Sequence, residues 1–349
     1  MRESALPDDY TQANEIAASG GQLSVPYFQQ NNAHHNALDV LGRLASLELT
    51  AVLLNIRSTS IGLLFAIALA APGTLAQTTA TIQAAPIELV RAAVNNEIAA
   101  DRDHSVKHMF RSRKSGPKGS QTRLYAETTQ AMAGMTIAYN DQPLSQQQIA
   151  NEEARLNGLR DNPEQLKKKQ AQEKEDAERT MRIVRALPDA FVYEYAGPQE
   201  NGPTAKLNFR PNPNYEPPSR VEQVLTGMSG FVEIDKASRR LITIDGTLFK
   251  DVSFGWGILG HLDKGGHFLV RQAQTSDGSW MMMHMALSFT GKILLFKSIS
   301  ITSDEVFSDF HRVPAETTFA QAIELLKGEQ AKLAENGKTE PPAGGARRQ

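Results

Sequence analysis

The chain has 349 residues, 40% hydrophobic and 22% charged, a composition typical of a globular protein with one large domain or two ordinary ones. Its 37 basic residues nearly balance its 39 acidic residues, so there is no overall field to attract nucleic acid, and we expect no nucleic-acid partner. The absence of cysteine excludes disulfides, thiolate catalysis and zinc–thiolate or iron–sulfur sites. Stability must therefore come from packing.

The most apolar run of the chain, Ile61 to Ala71, has the flanks of a secretory signal peptide. Arg57 precedes it, and Thr74 and Ala76 occupy the −3 and −1 positions of a cut before Gln77. The run is shorter than the ~20 residues that span a bilayer as a helix. A buried core helix or an uncleaved anchor is the alternative. The pattern favours export to the periplasm or secretion, with cleavage near Ala76 and Gln77.

This assignment divides the chain into four parts. The residues before the signal show little periodic pattern, and we expect translation to start near residues 52–54 instead of at the first Met. The predicted parts are an unstructured extension 1–55, a signal peptide 56–77, a single β-rich domain 78–336 and a disordered tail 337–349.

The first element predicted after the signal is a short amphipathic helix over 87–103. Ile87, Val90, Val94 and Ile98 recur at helical spacing, and Pro86 suits the first turn. Alternating runs then flank a turn-rich centre at 116–119, which predicts a hairpin, and a third strand follows at 135–139.

A charged helical insertion is predicted over 145–187. Ser145 and Gln148 form a capping box, and Asn162-Pro163 interrupts the helical pattern once. Because almost nothing is apolar between Lys167 and Arg179, we expect that stretch to be a solvated helix projecting from the body. The lysine run 167–169 could meet an anionic surface, although such a run is more often a solvated helix face.

After Pro188 the pattern changes to short strands until about residue 313, and connections this short favour antiparallel pairing. The Pro-rich stretch 211–218 predicts a rigid extended loop, and a final helix is predicted over 318–336. The predicted strands are 191–195, 205–209, 231–235, 240–249, one after His267, 280–289 and 292–301. The chain is therefore expected to be α+β, with a large curved antiparallel sheet, an N-terminal helix and a C-terminal helix.

The segment 244–267 carries the residues best suited to chemistry. His261, Asp263 and His267 are metal-ligand types, and Asp245 or Asp251 could serve as acid and base. No helical His-Glu spacing, second cluster or nucleophile motif accompanies them, and the glycines more simply allow a compact loop or a bent edge. We expect no catalytic residue, metal or cofactor here, and a hydrolase is the third hypothesis.

Strict alternation along 280–289 places Met281, Met283 and Met285 on one face and Trp280 and Met282 on the other. Apolar residues on both faces indicate a strand that is covered on both sides or exposes apolar surface to a partner. Methionine clusters suit surfaces that accept varied apolar ligands, although each Met alone more often fills a gap in a core. The candidate ligand-binding residues are Phe249, Phe254, Trp256, Met281, Met283, Met285 and Phe289.

The order of these elements resembles the lipoprotein-localisation-factor group of periplasmic proteins. The resemblance rests on the signal at 57–77, the helix at 87–103, the strands 231–235 and 240–249, and the late strand 292–301. It covers residues 86–313 by pattern, without a diagnostic motif. It implies an unclosed β-barrel wrapped over helices, a cavity for acyl chains, and transfer of lipid or lipoprotein between sites of the envelope.

Two features depart from that group, namely the charged insertion 145–187 and the Pro-rich loop 211–218. The leading hypothesis is a non-enzymatic envelope protein that binds a lipid, an acyl chain or a lipidated partner in a β-sheet concavity, with any membrane contact peripheral. The alternative is an interaction module that docks another envelope protein through the charged helix and the loop 255–266.

Overall fold

The computed structural model describes residues 85–197, 202–255, 259–293 and 297–339, with side chains described as far as residue 335. The predicted extension 1–55 and signal peptide 56–77 lie outside these residues, as do the C-terminal residues from 340 onward. The predicted division of the chain at residue 77 therefore stays a prediction.

The described helices begin and end where local signals place them. Pro86 occupies the first turn of the first helix, and Ser145 and Asn162 accept hydrogen bonds from backbone N–H groups at the starts of the next two. The break predicted at Asn162-Pro163 is confirmed. The α-helices are α1 (Pro86–Arg102), α2 (Gln146–Arg160), α3 (Pro163–Ala190), α4 (Arg220–Gln223) and α5 (Phe319–Thr339), and a 3-10 turn (Val224–Gly227) follows α4.

Thirteen described strands form one antiparallel sheet. They are β1 (Lys107–Gly116), β2 (Gly119–Ala126), β3 (Ala133–Tyr139), β4 (Gln142–Pro143), β5 (Phe191–Tyr195), β6 (Thr204–Pro211), β7 (Met228–Asp235), β8 (Leu241–Leu248), β9 (Val252–Phe254), β10 (Gly260–Leu262), β11 (His267–Gln274), β12 (Trp280–Ile293) and β13 (Lys297–Val313). Their order is β4-β3-β2-β1-β13-β12-β11-β8-β7-β6-β5, with β10 on β12 and β9 on β10. Among the described residues β4 and β5 do not meet, so the barrel-like sheet is unclosed, as predicted.

The larger core lies on the inner face of this sheet, beneath α1 and the end of α3. Alternation places the apolar residues there, because Ala205, Leu207 and Phe209 of β6 are buried while their neighbours Lys206 and Asn208 are exposed. Helix α1 contributes Val90, Ala93 and Val94, and α3 contributes Ile183 and Leu187. Apolar side chains of α1 and α3 therefore pack on the inner face of the unclosed sheet.

A second core packs α5 against β1, β2 and β3. Phe319, Ile323 and Leu326 of α5 are fully buried against residues such as Leu124 and Met135. Helix α5 therefore covers one face of these strands at this end of the sheet.

Most residues of α3 between Lys167 and Arg179 are exposed as predicted, but the helix packs along one face instead of projecting from the body. Leu166, Asp176 and Arg179 are 7%, 1% and 4% exposed. The Lys169 ammonium pairs with Glu173, whose carboxylate also accepts a hydrogen bond from the Met132 backbone N–H at 3.0 Å. A helix face with few apolar residues can be buried when its charges pair with one another, and an apolar periodicity cannot reveal this.

Candidate functional site

The predicted ligand-binding residues fall into different environments. Phe254, Met285 and Phe289 are buried in the inner core, at 8%, 3% and 1% exposure. Phe249 is 44% exposed outside that core, and Trp256 lies outside the described residues. The structure does not gather these residues around one opening, and their contact with a ligand stays a prediction.

An irregularity in β12 changes which methionines face the core. Arg271 of β11 lies opposite His284, but the next residue, Gln272, lies opposite Met282, which leaves Met283 with no residue across from it. Such a bulge shifts the side-chain alternation by one residue. Met282 therefore packs on the core beside Met285, whereas the sequence predicted that Met281 and Met283 share the Met285 face.

A cavity of about 390 Å³ opens between the start of α1 and the corner where α3 runs into β5. Most of its wall is apolar, and three polar residues complete it. The lining residues are Pro86, Ile87, Arg91, Pro188, Asp189, Phe191, Val192, Tyr193 and Asn212. Ile87 and Arg91 belong to the predicted helix 87–103, three further residues to the predicted strand 191–195 and Asn212 to the predicted Pro-rich loop, but none was predicted as a site residue.

The corner between α3 and β5 is held by three hydrogen bonds. The backbone N–H of Asn212 donates to the carbonyl of Ala190 at 2.8 Å, and its side-chain amide donates to the carbonyl of Asp189 at 2.9 Å. The Tyr193 hydroxyl donates to the carbonyl of Leu187 at 2.9 Å. Burial raises the pKa of Tyr193 above its ordinary value, so the phenol stays a neutral donor. These bonds satisfy the last carbonyls of the helix and fix one wall of the cavity.

Three polar residues, Arg91, Asp189 and Asn212, take part in the lining of the cavity. Arg91 is exposed and pairs with Glu88 one turn earlier in α1 at 2.9 Å, and Asp189 lies in the last turn of α3. An apolar wall with a few polar groups at one side suits an amphipathic ligand, whose polar end stays near water. The signal that could have revealed this site is the change from helical to alternating periodicity at Phe191 without an intervening turn.

The histidines and aspartates of 244–267 form separate pairs instead of one cluster. His267 lies 2.9 Å from Asp245, His261 lies 3.2 Å from Asp263, and Asp251 accepts a hydrogen bond from the Lys264 backbone N–H at 2.7 Å. In the described part of the chain no three His, Asp or Glu side chains meet as a metal-binding group. Asp245, Asp251 and His261 thus each contact a different partner, and the hydrolase hypothesis stays a prediction.

One glycine of this segment allows the chain to approach a neighbouring strand closely. Gly260 has a φ of +139°, and a Cβ at that position would lie 2.3 Å from the carbonyl oxygen of Lys292. This close approach lets the short strand β10 pair with the end of β12.

Comparisons with known proteins add little to this geometry. Neither a protein-family model nor a curated protein matches the chain. One solved structure is similar to it, a domain from Vibrio parahaemolyticus described provisionally as an outer membrane lipoprotein-sorting protein. The identity is 14%, the match covers 68% of this chain and 97% of that domain, and the TM-score is 0.25. A score this low does not establish a shared family. No described helix has the length and apolar character needed to cross a membrane.

Proposed function

We propose that this protein is an exported envelope protein that holds a lipid, an acyl chain or the lipid of a modified partner without catalysing a reaction. The observation that carries the proposal is the cavity between α1 and β5. Its volume of about 390 Å³ falls within the range of small-molecule sites in proteins. The cavity is open to solvent, and its wall combines apolar side chains that a hydrocarbon chain could contact with polar groups that could contact a head group.

The cavity wall continues into the inner core. Phe191 and Tyr193 belong to the same apolar cluster as the predicted residues Phe254, Met285 and Phe289. A chain longer than the cavity would reach those residues by displacing part of α1, which covers the cluster.

A dansyl-labelled fatty acid tests the cavity directly. Ile87→Trp replaces an aliphatic side chain of the cavity wall with an indole ring. It is expected to weaken binding of this probe about tenfold, because the ring occupies the space that the acyl chain of the probe needs. Asn95→Trp adds the same ring to an exposed position of α1 and is the matched control. The measurement is a fluorescence titration of each purified full-length variant.

Two results would contradict the proposal. One is that the protein without substitutions does not enhance the probe fluorescence. The other is that Ile87→Trp and Asn95→Trp weaken probe binding equally. Solvent extraction of the purified protein followed by mass spectrometry identifies the natural ligand, and an unrelated protein prepared in the same way shows the background.

Export has a separate test, because it depends on residues outside the described structure. We expect the protein recovered from a bacterial periplasm to begin at Gln77, since Thr74 and Ala76 present the small side chains that signal peptidase requires. N-terminal sequencing checks this. Ala76→Arg removes the small side chain at the cut and is expected to leave the precursor uncleaved. Recovery of protein that retains residues 56–76 from the unchanged gene would contradict export by this route.

A further inference from the structure

Several lysines gather at one end of the sheet. β8 ends at Leu248, where β11 begins, and β12 turns into β13 at the same end because neighbouring strands run antiparallel. The loops and strand ends there form what we call the basic end, which consists of Phe249, Lys250, Lys264, Lys292 and Lys297.

The lysines of the basic end are exposed and unpaired. In the described ranges none of the four lies within 4.0 Å of a carboxylate oxygen. By contrast, most lysines in the described helices pair with a carboxylate, for example Lys174 with Glu178 and Lys327 with Glu324. An exposed ammonium without a partner keeps its full attraction for an external anion.

The two carboxylates nearest in sequence to Lys250 and Lys264 each contact another group. Asp251 accepts the Lys264 backbone N–H at 2.7 Å, and Asp263 lies 3.2 Å from His261. Against these two carboxylates, which keep their charge, the four exposed lysines leave a net charge of +2 in this region of a chain whose net charge is −2.

Phe249 gives the basic end an exposed aromatic group. Its ring is 44% exposed, and the Lys250 ammonium stands 5.6 Å from the ring centroid. Aromatic rings and lysines with long apolar stems are the side chains that settle at the boundary between head groups and acyl chains.

The basic end and the cavity lie at the same end of the sheet. Met228 at the start of β7 pairs with Leu248, Phe209 near the end of β6 pairs with Gly230, and Phe191 at the start of β5 pairs with Pro211. The strand register therefore places the cavity wall at Phe191 and the lysines after Leu248 at the same end of the strands, with β5 three strands away from β8 in the sheet.

We infer that the basic end docks on an anionic lipid surface. The lysines occupy three separate loops and strand ends instead of lining a groove, and such spread point charges match a continuous layer of phosphates better than the shaped surface of one acidic protein. The inference goes beyond the proposed function, because contact with the surface does not require an occupied cavity.

Vesicle sedimentation with the full chain tests this. We expect binding to vesicles of phosphatidylcholine and phosphatidylglycerol in equal parts, loss of that binding at high salt, and little binding to phosphatidylcholine alone. Lys250→Gln with Lys264→Gln, and separately Lys292→Gln with Lys297→Gln, are each expected to weaken binding about 30-fold, at about fivefold for each lysine removed.

Lys167→Gln with Lys168→Gln is the matched control, because it removes the same charge from exposed positions of α3. The control pair is expected to bind anionic vesicles as the unchanged protein does. Equal losses in the control pair and the two test pairs would overturn the inference, as would failure of the unchanged protein to bind anionic vesicles. Titration with the dansyl-labelled fatty acid without vesicles reports the proposed function separately, and the lysine variants are expected to bind that probe unchanged.

Discussion

Replacing Glu97 with Ala is expected to destabilise the protein by about 3–5 kcal/mol, because it leaves a largely buried arginine without its counter-charge. Glu97 lies near the end of α1 and receives hydrogen bonds from Nε and Nη2 of Arg240, both at 2.9 Å. It also accepts the backbone N–H of Leu241 at 3.0 Å, at the start of β8. The two side chains are only 10% and 16% exposed. The single carboxylate therefore fastens the covering helix to the sheet.

The measurement is urea denaturation of the purified variants at neutral pH. Glu97→Gln is the informative comparison, because its amide oxygen can still accept the Leu241 N–H while the charge that balances Arg240 is gone. We expect it to lie between the unchanged protein and Glu97→Ala. A double-mutant cycle with Arg240→Ala isolates the pair, and its coupling should be well above 1 kcal/mol. A loss below about 1 kcal/mol for Glu97→Ala would show that α1 is held by its apolar face alone.

The elements that could be predicted are those with local signals. The capping box at Ser145, the proline at 163 and the turn at Gly116 to Gly119 each act within a few residues, and the structure begins or ends an element at each of them. Alternating runs likewise marked β6, β7 and β8. A pattern that extends over one element can be recognised without knowing the element's neighbours.

The strand order could not be predicted in the same way. The sequence suggested a meander of consecutive strands, but β1 pairs with β13, where Lys107 lies opposite Val313, and β8 pairs with β11 instead of its chain neighbour β9. These contacts join residues that are far apart in the chain, and no local pattern encodes them. They decide which strands share a face, and so which apolar residues meet in the core.

The candidate site was missed for a related reason. The bulge at Met283 depends on the partner strand β11, so the alternation read from β12 alone assigned Met281 and Met283 to the wrong face. The cavity combines residues of α1, α3, β5 and the end of β6, which meet only in the folded chain. The prediction of an apolar site was made from composition, whereas its position follows from topology.

A second large effect is expected from Glu152 on α2, whose largely buried carboxylate forms an ion pair with Arg155 that the sequence did not reveal. Its carboxylate accepts hydrogen bonds from Nε and Nη2 of Arg155, both at 2.8 Å, and from the backbone N–H of Thr136 at 2.7 Å. Arg155 also donates to the carbonyl of Gly134 at 2.6 Å. Glu152 thus ties α2 to β3. We expect Glu152→Ala to cost about 2–3 kcal/mol at neutral pH, the contribution of charged hydrogen bonds that are largely buried.

The cost of Glu152→Ala should depend on pH in a defined direction. Burial acts to raise the pKa of Glu152, but the hydrogen bonds and charge of Arg155 and the Thr136 N–H outweigh it and hold the pKa below its ordinary value of 4.5. A carboxyl whose pKa is lower in the folded state stabilises the protein above pH 4.5 and loses that contribution as the pH falls through the folded pKa. The difference between Glu152→Ala and the unchanged protein should therefore be full at pH 7 and shrink in acid.

Urea denaturation at several pH values checks this dependence, with Glu153→Ala as the control. Glu153 is the next residue of α2 and has no hydrogen bond or ion pair among the described residues. Its replacement therefore removes the same charge without breaking the contacts of Glu152 with Arg155 and Thr136. We expect Glu153→Ala to change the free energy of unfolding by less than about 0.5 kcal/mol at every pH. If the two variants behave alike, general charge explains the effect. If only Glu152→Ala loses stability, and does so mainly above pH 4.5, the carboxylate binds β3 in its ionised form.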